Sequence, residues 1–411
     1  MNNPAPKYQD CAWDFRTADT KEFTHCFHAY PAMMIPQIAR ELLRRYGQKG
    51  GWLLDPYCGT GTSLVEASLF GMHSVGCDIN PLVRLIATSK LTPVSLNTID
   101  GTVHNLDAAM SRVKRKVPSR AVPEVTNLNF WFADDVIARL AFLRSLINDI
   151  KDSASRNFAW VAFSETVREA SYTRKGEFKL YRMPPQSLEN FSPDVFSIFS
   201  KKLNRNRQGL GHYLGARKKV NATVLEANSI QGSLPCPMAS YDLVITSPPY
   251  GDSQTTVAYG QYSRLSAEWI GLPHAKKIDR LAMGGGRTTQ RPHSASLTPA
   301  IEKIAAIDAK RAAQVADFYV DLEHSINSVA ASLSPRATVC YVVGNRRVKG
   351  ITLPTDEFVV SAFAMHGFAH KHTIVRSIPN KRMPAKNSPS NIVGNTAATM
   401  HRENIVVCQR K

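Results

Sequence analysis

The sequence predicts an α/β protein, a mostly parallel sheet with helices on both faces, interrupted by a largely helical basic insertion. Three observations predict it. Short apolar runs alternate with turns and amphipathic patterns in the first hundred residues and again in the C-terminal half, the rhythm of βα units. That rhythm disappears between Leu96 and Lys219. The run Leu243-Val244-Ile245, led in by Tyr241-Asp242, stops at Thr246-Ser247-Pro248-Pro249-Tyr250. Two prolines end a strand, since neither donates a ladder hydrogen bond and each fixes its own φ. They leave a rigid corner at the carboxyl end of a buried strand, where open α/β sheets place their ligands. The corner presents a hydroxyl, unclaimed carbonyls and an aromatic ring, a setting for a flat, hydrogen-bonding group.

The elements follow in order. Within Phe23 to Tyr46, Pro36 opens an amphipathic helix (Ile35, Ile38, Leu42, Leu43) that ends before Gly47. The loop before it, His28-Ala29-Tyr30-Pro31-Ala32, is aromatic and small enough to lie against a ligand. Trp52-Leu53-Leu54 is a strand, followed by Asp55-Pro56-Tyr57-Cys58-Gly59-Thr60-Gly61-Thr62 and a helix from Leu64 to Phe70. Strand, glycine-rich turn and helix is the arrangement in which a nucleoside approaches the backbone closely. Ser74 to Cys77 is the second strand, closing on Asp78, and Asn80-Pro81 opens the next helix. Asp78 lies about 20 residues beyond the glycines, the distance at which a carboxylate meets a ribose hydroxyl pair. No GxGxxG is present, which counts against a dinucleotide.

In the insertion, helices are expected over Ile99 to Val113, Asp134 to Ile150 and Phe158 to Glu169. Arg168, Arg174, Lys175, Lys179 and Arg182, then Lys201, Lys202, Arg205, Arg207 and Arg217 to Lys219, interleave with Tyr172, Phe178, Tyr181 and Tyr213. Phosphate contacts and base contacts together need that mixture; the bland alternative is a solvated basic face. The sheet resumes at Ala222 to Leu225, and Asn228 falls where an amide can meet an adenine edge. The segment Arg280 to Ser296, with Gly284-Gly285-Gly286, reads as a mobile loop. Ala337 to Val343, Phe368 to Val375 and Ile405 to Val407 complete seven strands, the last two forming an antiparallel pair.

Charge supports the same direction. The 411 residues hold 51 Lys+Arg against 33 Asp+Glu, a formal net charge of +18, which favours a polyanion, nucleic acid ahead of a membrane surface. No stretch approaches the roughly 20 apolar residues of a membrane span, and Met1 to Asp19 lacks a secretory apolar core. Seven scattered cysteines, with no CxxC, suit a reducing cytoplasm. His25-Cys26-x-His28 and His366…His370-x-His372 lack further clustered ligands, so no metal is expected.

Taken together these motifs resemble the S-adenosylmethionine-dependent DNA amino-methyltransferases, most of all the cytosine-N4 (SPPY) family of bacterial restriction–modification systems. The resemblance rests on Phe27 to Gln37 (FHAYPAMMIPQ), Asp55 to Thr62, Asp78-Ile79-Asn80-Pro81, Thr246 to Tyr250, Val343-Gly344-Asn345 and Arg376 to Pro384. It implies a Rossmann-like class I methyltransferase fold with a seven-stranded sheet. Residues 1–95 and 220–411 would form the methyltransferase domain, and 96–219 the target-recognition insertion. It implies S-adenosylmethionine as cofactor, held by Asp55, Tyr57, Cys58, Gly59, Thr60, Gly61, Thr62, Asp78, Ile79, Asn80 and Asn228 and walled by Phe27 and Tyr30. Ser247, Pro248, Pro249 and Tyr250 would be catalytic on a base flipped out of duplex DNA. Arg174, Lys175, Lys179, Arg182, Lys381 and Arg382 are the expected DNA contacts. The implied setting is the bacterial cytoplasm at the nucleoid, with a companion restriction endonuclease as a candidate partner. Asn228 departs from the acidic residue usual at its position. The alternative is an adenine-N6 DNA methyltransferase, or a tRNA or rRNA amino-methyltransferase of the same fold, since the Asp55 turn is also similar to some tRNA guanine methyltransferases.

Overall fold

The computed structural model describes residues 6–113, 116–232, 234–235, 240–252, 257–378 and 400–411, and the backbone of 386–387 and 397–398. Eight strands form the central sheet: β1 (Lys7–Gln9), β2 (Trp52–Asp55), β3 (His73–Cys77), β4 (Ala222–Leu225), β5 (Tyr241–Thr246), β6 (Leu333–Val343), β7 (Phe368–Ser377) and β8 (Arg402–Arg410). Their order is β1-β7-β8-β6-β5-β2-β3-β4. Only β8 runs antiparallel, inserted between β6 and β7. Seven strands were expected; the eighth, β1, is three residues long and carries no alternation to read. Its parallel pairing with β7, extended by the Asp10 amide on the Val375 carbonyl at 3.1 Å, makes it a strand.

Consecutive residues in a strand point to opposite faces, and this sheet buries both. Leu53, Leu243, Ile245 and Ile405 face a core built with α1 (Pro36–Tyr46), α2 (Thr62–Phe70) and α3 (Pro81–Leu91). Leu54, Val244, Val339 and Val406 face the other core, built with α9 (Thr298–Ile307), α10 (Ala309–Ala331) and α11 (Thr355–Ala364). The insertion supplies α4 (Leu96–Ser111), α5 (Asp134–Asn148), α6 (Ser153–Ala170) and α7 (Val195–Ala216). Its apolar residues, among them Ile99, Leu140, Phe158, Phe163 and Phe199, belong to the first of those cores. The insertion therefore packs against the helical layer on that face of the sheet, α6 lying against α3. Between β5 and α9 lies α8 (Tyr259–Ile270). The segment expected to be a mobile loop is tacked down instead. The amides of Gly284, Thr288 and His293 donate to Asp321, Asp317 and Glu323 of α10 at 2.8, 2.9 and 3.0 Å.

Because β2 is flanked by β3 on one side and β5 on the other, chain direction across the sheet reverses there, and a crevice opens at the carboxyl ends of these strands.

Candidate functional site

The crevice is built from strand ends. After β2 the chain turns through Gly59 and Gly61, both at positive φ (48° and 79°). Gly61 caps α2 against α3, where a Cβ would lie 2.9 Å from the Ala87 methyl. That approach brings the turn over Asp78 at the end of β3. The Gly59 amide donates to Asp78 Oδ2 at 3.1 Å and the Asn80 amide to Oδ1 at 2.8 Å. Burial pushes the Asp78 carboxyl up to about 6, against the lowering effect of those amides. Asp55 is likewise raised to about 6 by burial. Its Oδ1 accepts from the Thr246 hydroxyl at 2.6 Å and the Tyr57 amide at 3.2 Å, and its Oδ2 from the Ser63 hydroxyl. Asp55 is thus tied into three elements as well as facing the cavity.

One cavity collects most of the expected residues. Tyr30, Asp55, Tyr57, Cys58, Gly59, Thr60, Thr62, Asp78, Ile79, Asn80, Asn228, Ser247 and Pro249 all line it. Gly61, Phe27, Pro248 and Tyr250 are not among its lining residues. Phe27, expected as a wall beside Tyr30, points into the core and meets the edge of Phe158 at 5.8 Å between centroids. An apolar ring on a short helical turn under α7 buries more surface there than at a polar mouth. Tyr30 keeps its place because its hydroxyl is satisfied at the rim. It shares a 2.9 Å hydrogen bond with Ser263 and accepts from Asn80 Nδ2 at 3.0 Å, and its ring lies nearly parallel to Tyr259. The Asn228 Oδ1 turns onto the Ile230 amide at 3.1 Å. Glu226, the nearest carboxylate at that strand end, leaves the cavity to pair with Arg84.

Sequence reading missed several lining groups. Met33 and Met34 line the wall, with Thr60 Oγ1 donating to the Met33 sulfur at 3.1 Å. Ile278, Leu281, Ala282 and Met283 close the other side. Under the floor, Lys90 is fully buried, reaches Thr60 Oγ1 at 3.3 Å, and is pulled down to about 7 by burial. Its place four residues after Ile86 and seven after Val83, on the buried face of α3, was the available signal.

Past the cavity, Tyr250 donates its hydroxyl to Glu403 of β8 at 2.8 Å. Burial holds the phenol well above its ordinary pKa, so it stays a donor. Glu403 pairs with the buried Arg376 of β7, whose Nε donates to the Trp13 carbonyl at 2.8 Å. Next to Tyr250, Gly251 at φ 150° lies flat on the Arg346 guanidinium, where a Cβ would come within 2.1 Å of Nη1.

The expected DNA contacts divide. Arg174, Lys175, Lys179 and Arg182 lie on a hairpin-like excursion after α6, closed by a bridge between Thr173 and Arg182. Arg182 stacks over Phe130 at 4.5 Å and Arg174 over Tyr181 at 5.8 Å; both rings are exposed. The Leu180 amide donates to Gln261 at 3.3 Å, which fixes the excursion beside the first turn of α8, and hence beside the cavity mouth. Other basic residues of the insertion are internal struts: Arg205 and Lys202 pair with Glu165 of α6, and Arg207 with Asp100 of α4. Lys381 and Arg382 lie outside the described residues. Among the described residues no cluster of three or more His, Cys, Asp or Glu could hold a metal, and no helix is long and apolar enough to cross a membrane.

Comparison with known proteins gives the same direction. The family model described as DNA methylase matches residues 2–88. The type II methyltransferase M.MvaI of Kocuria varians is 38% identical over 419 residues, covering 96% of this chain and 92% of that protein. The type II methyltransferase M.BsoBI of Geobacillus stearothermophilus is 24% identical over 57% of this chain and 50% of its own length. A tRNA (guanine(10)-N2)-dimethyltransferase of Methanocaldococcus jannaschii is 44% identical, over only 19% of this chain and 23% of its own.

Proposed function

The chain belongs to the DNA amino-methyltransferase family, and from that premise we propose that it methylates the exocyclic N4 amino group of cytosine at specific sites in duplex DNA, as the modifying partner of a restriction endonuclease. The observation that carries the reading is that Ser247 and Pro249 line the same cavity as Asp55 and Asp78.

The cofactor is S-adenosylmethionine, and the cavity fits it. Asp78 has partly buried carboxylate oxygens with lone pairs left over after the Gly59 and Asn80 amides, suited to a ribose hydroxyl pair. Asn228 offers an amide toward an adenine, and Tyr30, Met33 and Met34 an apolar wall. The bound group supplies a methyl on a positively charged sulfur, a good leaving arrangement that needs no acid.

The difficulty lies with the acceptor, whose amino lone pair is delocalised into the pyrimidine ring. Ser247 Oγ and the Pro248 carbonyl each accept one amino hydrogen, so the nitrogen pyramidalises and its lone pair turns toward the methyl. Rate enhancement then comes from positioning and from fixed dipoles. Reaching the turn requires extrusion of the base, which costs a few kcal/mol, partly offset by stacking on Tyr250. The basic excursion at Arg174 to Arg182 contacts the duplex beside the mouth, and the insertion 96–219 carries target recognition. Serine ahead of Pro-Pro-Tyr favours cytosine over adenine. Ser247→Ala and Tyr250→Ala test the assignment. Both should lose methyl transfer while still binding S-adenosylmethionine, and full transfer by either would overturn it.

A further inference from the structure

The hydroxyl groups around the turn form a chain with one end fixed. Ser247 Oγ donates to the Tyr250 hydroxyl at 3.4 Å, and Tyr250 donates to Glu403 Oε1 at 2.8 Å. The other Glu403 oxygen is held by Arg376, whose side chain is only 4% exposed and is itself fixed by the backbone carbonyls of Trp13 and Asp14. A carboxylate locked against a buried arginine only accepts hydrogen bonds. The phenol therefore has one choice, to donate, and its oxygen is left to accept from Ser247. The Ser247 hydroxyl then spends its single proton away from the cavity and turns its lone pairs into it. The 3.4 Å step is long, as catalytic hydrogen bonds often are before substrate arrives.

We propose that Glu403 is a positioning residue that sets the hydrogen-bond direction at Ser247, so that the turn reads an N–H donor. The proposal rests on the preceding reading of Ser247 as the group that receives the target amino hydrogen. With the Pro248 carbonyl, which can only accept, the turn then presents two acceptors to an amino group's two donors. A carbonyl oxygen or a bare ring nitrogen placed there meets lone pair against lone pair. Selection of an exocyclic amino group thus depends on a residue 156 positions away in sequence from Ser247, on another strand.

The Glu403→Gln protein keeps the shape and removes the constraint, because an amide can donate to the phenol and let the chain reverse. Tyr250→Phe keeps the stacking ring and the Glu403–Arg376 pair but breaks the chain, so it serves if the glutamine variant folds poorly. Methyl transfer to a duplex substrate should fall on the order of tenfold in kcat for each, the loss expected of one charge-assisted hydrogen bond. KM for DNA, S-adenosylmethionine affinity and the fluorescence rise of 2-aminopurine at the target position should stay within about twofold. The double variant should be no slower than either single one. Glu403→Asp should recover part of the rate. Wild-type kcat in Tyr250→Phe, or effects of the two substitutions that multiply, would overturn the proposal. If Ser247→Ala itself keeps full transfer, the reading of the turn fails instead, and the two failures are distinguishable.

Discussion

Thr246 on β5 donates its hydroxyl to Asp55 on β2 at 2.6 Å, and the next residue in the chain is Ser247. One buried hydrogen bond therefore joins the glycine turn that follows β2 to the turn that carries the Pro-Pro corner. Thr246→Val deletes the donor at nearly constant volume and leaves a buried carboxylate short of a partner. Stability should fall by about 1.5–3 kcal/mol, the range for hydrogen bonds to charged groups. Urea denaturation measures it, and an unchanged midpoint would show that Ser63 and Tyr57 satisfy Asp55 alone.

With Asp78 as the proposed ribose ligand, cofactor affinity should depend on pH. The folded-state pKa of Asp78 is raised to about 6 by burial, and in the proposed role the ionised form is the one that accepts from a ribose hydroxyl pair. Affinity for S-adenosylmethionine should rise with pH up to about 6, by as much as tenfold per unit, and be flat above. The Asp78→Asn protein should bind weakly throughout and lose the greater part of that slope. Calorimetric titration between pH 5 and 8 decides it.

Lys90 costs stability. Its pKa is lowered to about 7 by burial, while an unfolded lysine holds its proton to about 10.4. Between those values the unfolded chain binds the extra proton, so stability rises with pH across that window and the penalty is largest below 7. Lys90→Met should stabilise the protein on the order of 1–3 kcal/mol at pH 6.5, with the advantage shrinking as pH rises toward 10. Thermal melts at several pH values give the comparison, and a constant gap would contradict it.

The basic residues should separate by assay. Arg174→Ala and Arg182→Ala should weaken DNA binding and reduce the slope of log affinity against log salt by about one each. Arg205→Ala, which breaks the bond to Glu165 at 2.7 Å and to the Phe27 carbonyl at 2.8 Å, should lower the melting temperature and leave the salt slope alone. Binding isotherms at several salt concentrations read both.

Local chemistry accounts for what was legible in the sequence. Asp55, Asp78 and the Pro-Pro corner announce themselves because each closes an apolar run, and strand ends are where an α/β sheet puts its ligands. The insertion's charge was legible, but its division was not. Arg205 and Lys202 are struts only because α6 turns Glu165 toward them, a pairing across 40 and 37 residues that no spacing rule encodes. Glu403 was invisible for the same reason: it reaches Tyr250 only after β8 slots between β6 and β7. Phe27 sat in a motif that suggested a wall, and packing against Phe158 claimed it for the core.

Methyl transfer to the cytosine amino group can be read from its product. Purified protein, labelled S-adenosylmethionine and unmethylated duplex DNA, followed by digestion and identification of the modified nucleoside, test it most directly. The expected product is N4-methylcytosine. N6-methyladenine would contradict the reading of Ser247 while keeping fold and cofactor, and label appearing in tRNA or rRNA instead of DNA would contradict the assignment of the substrate.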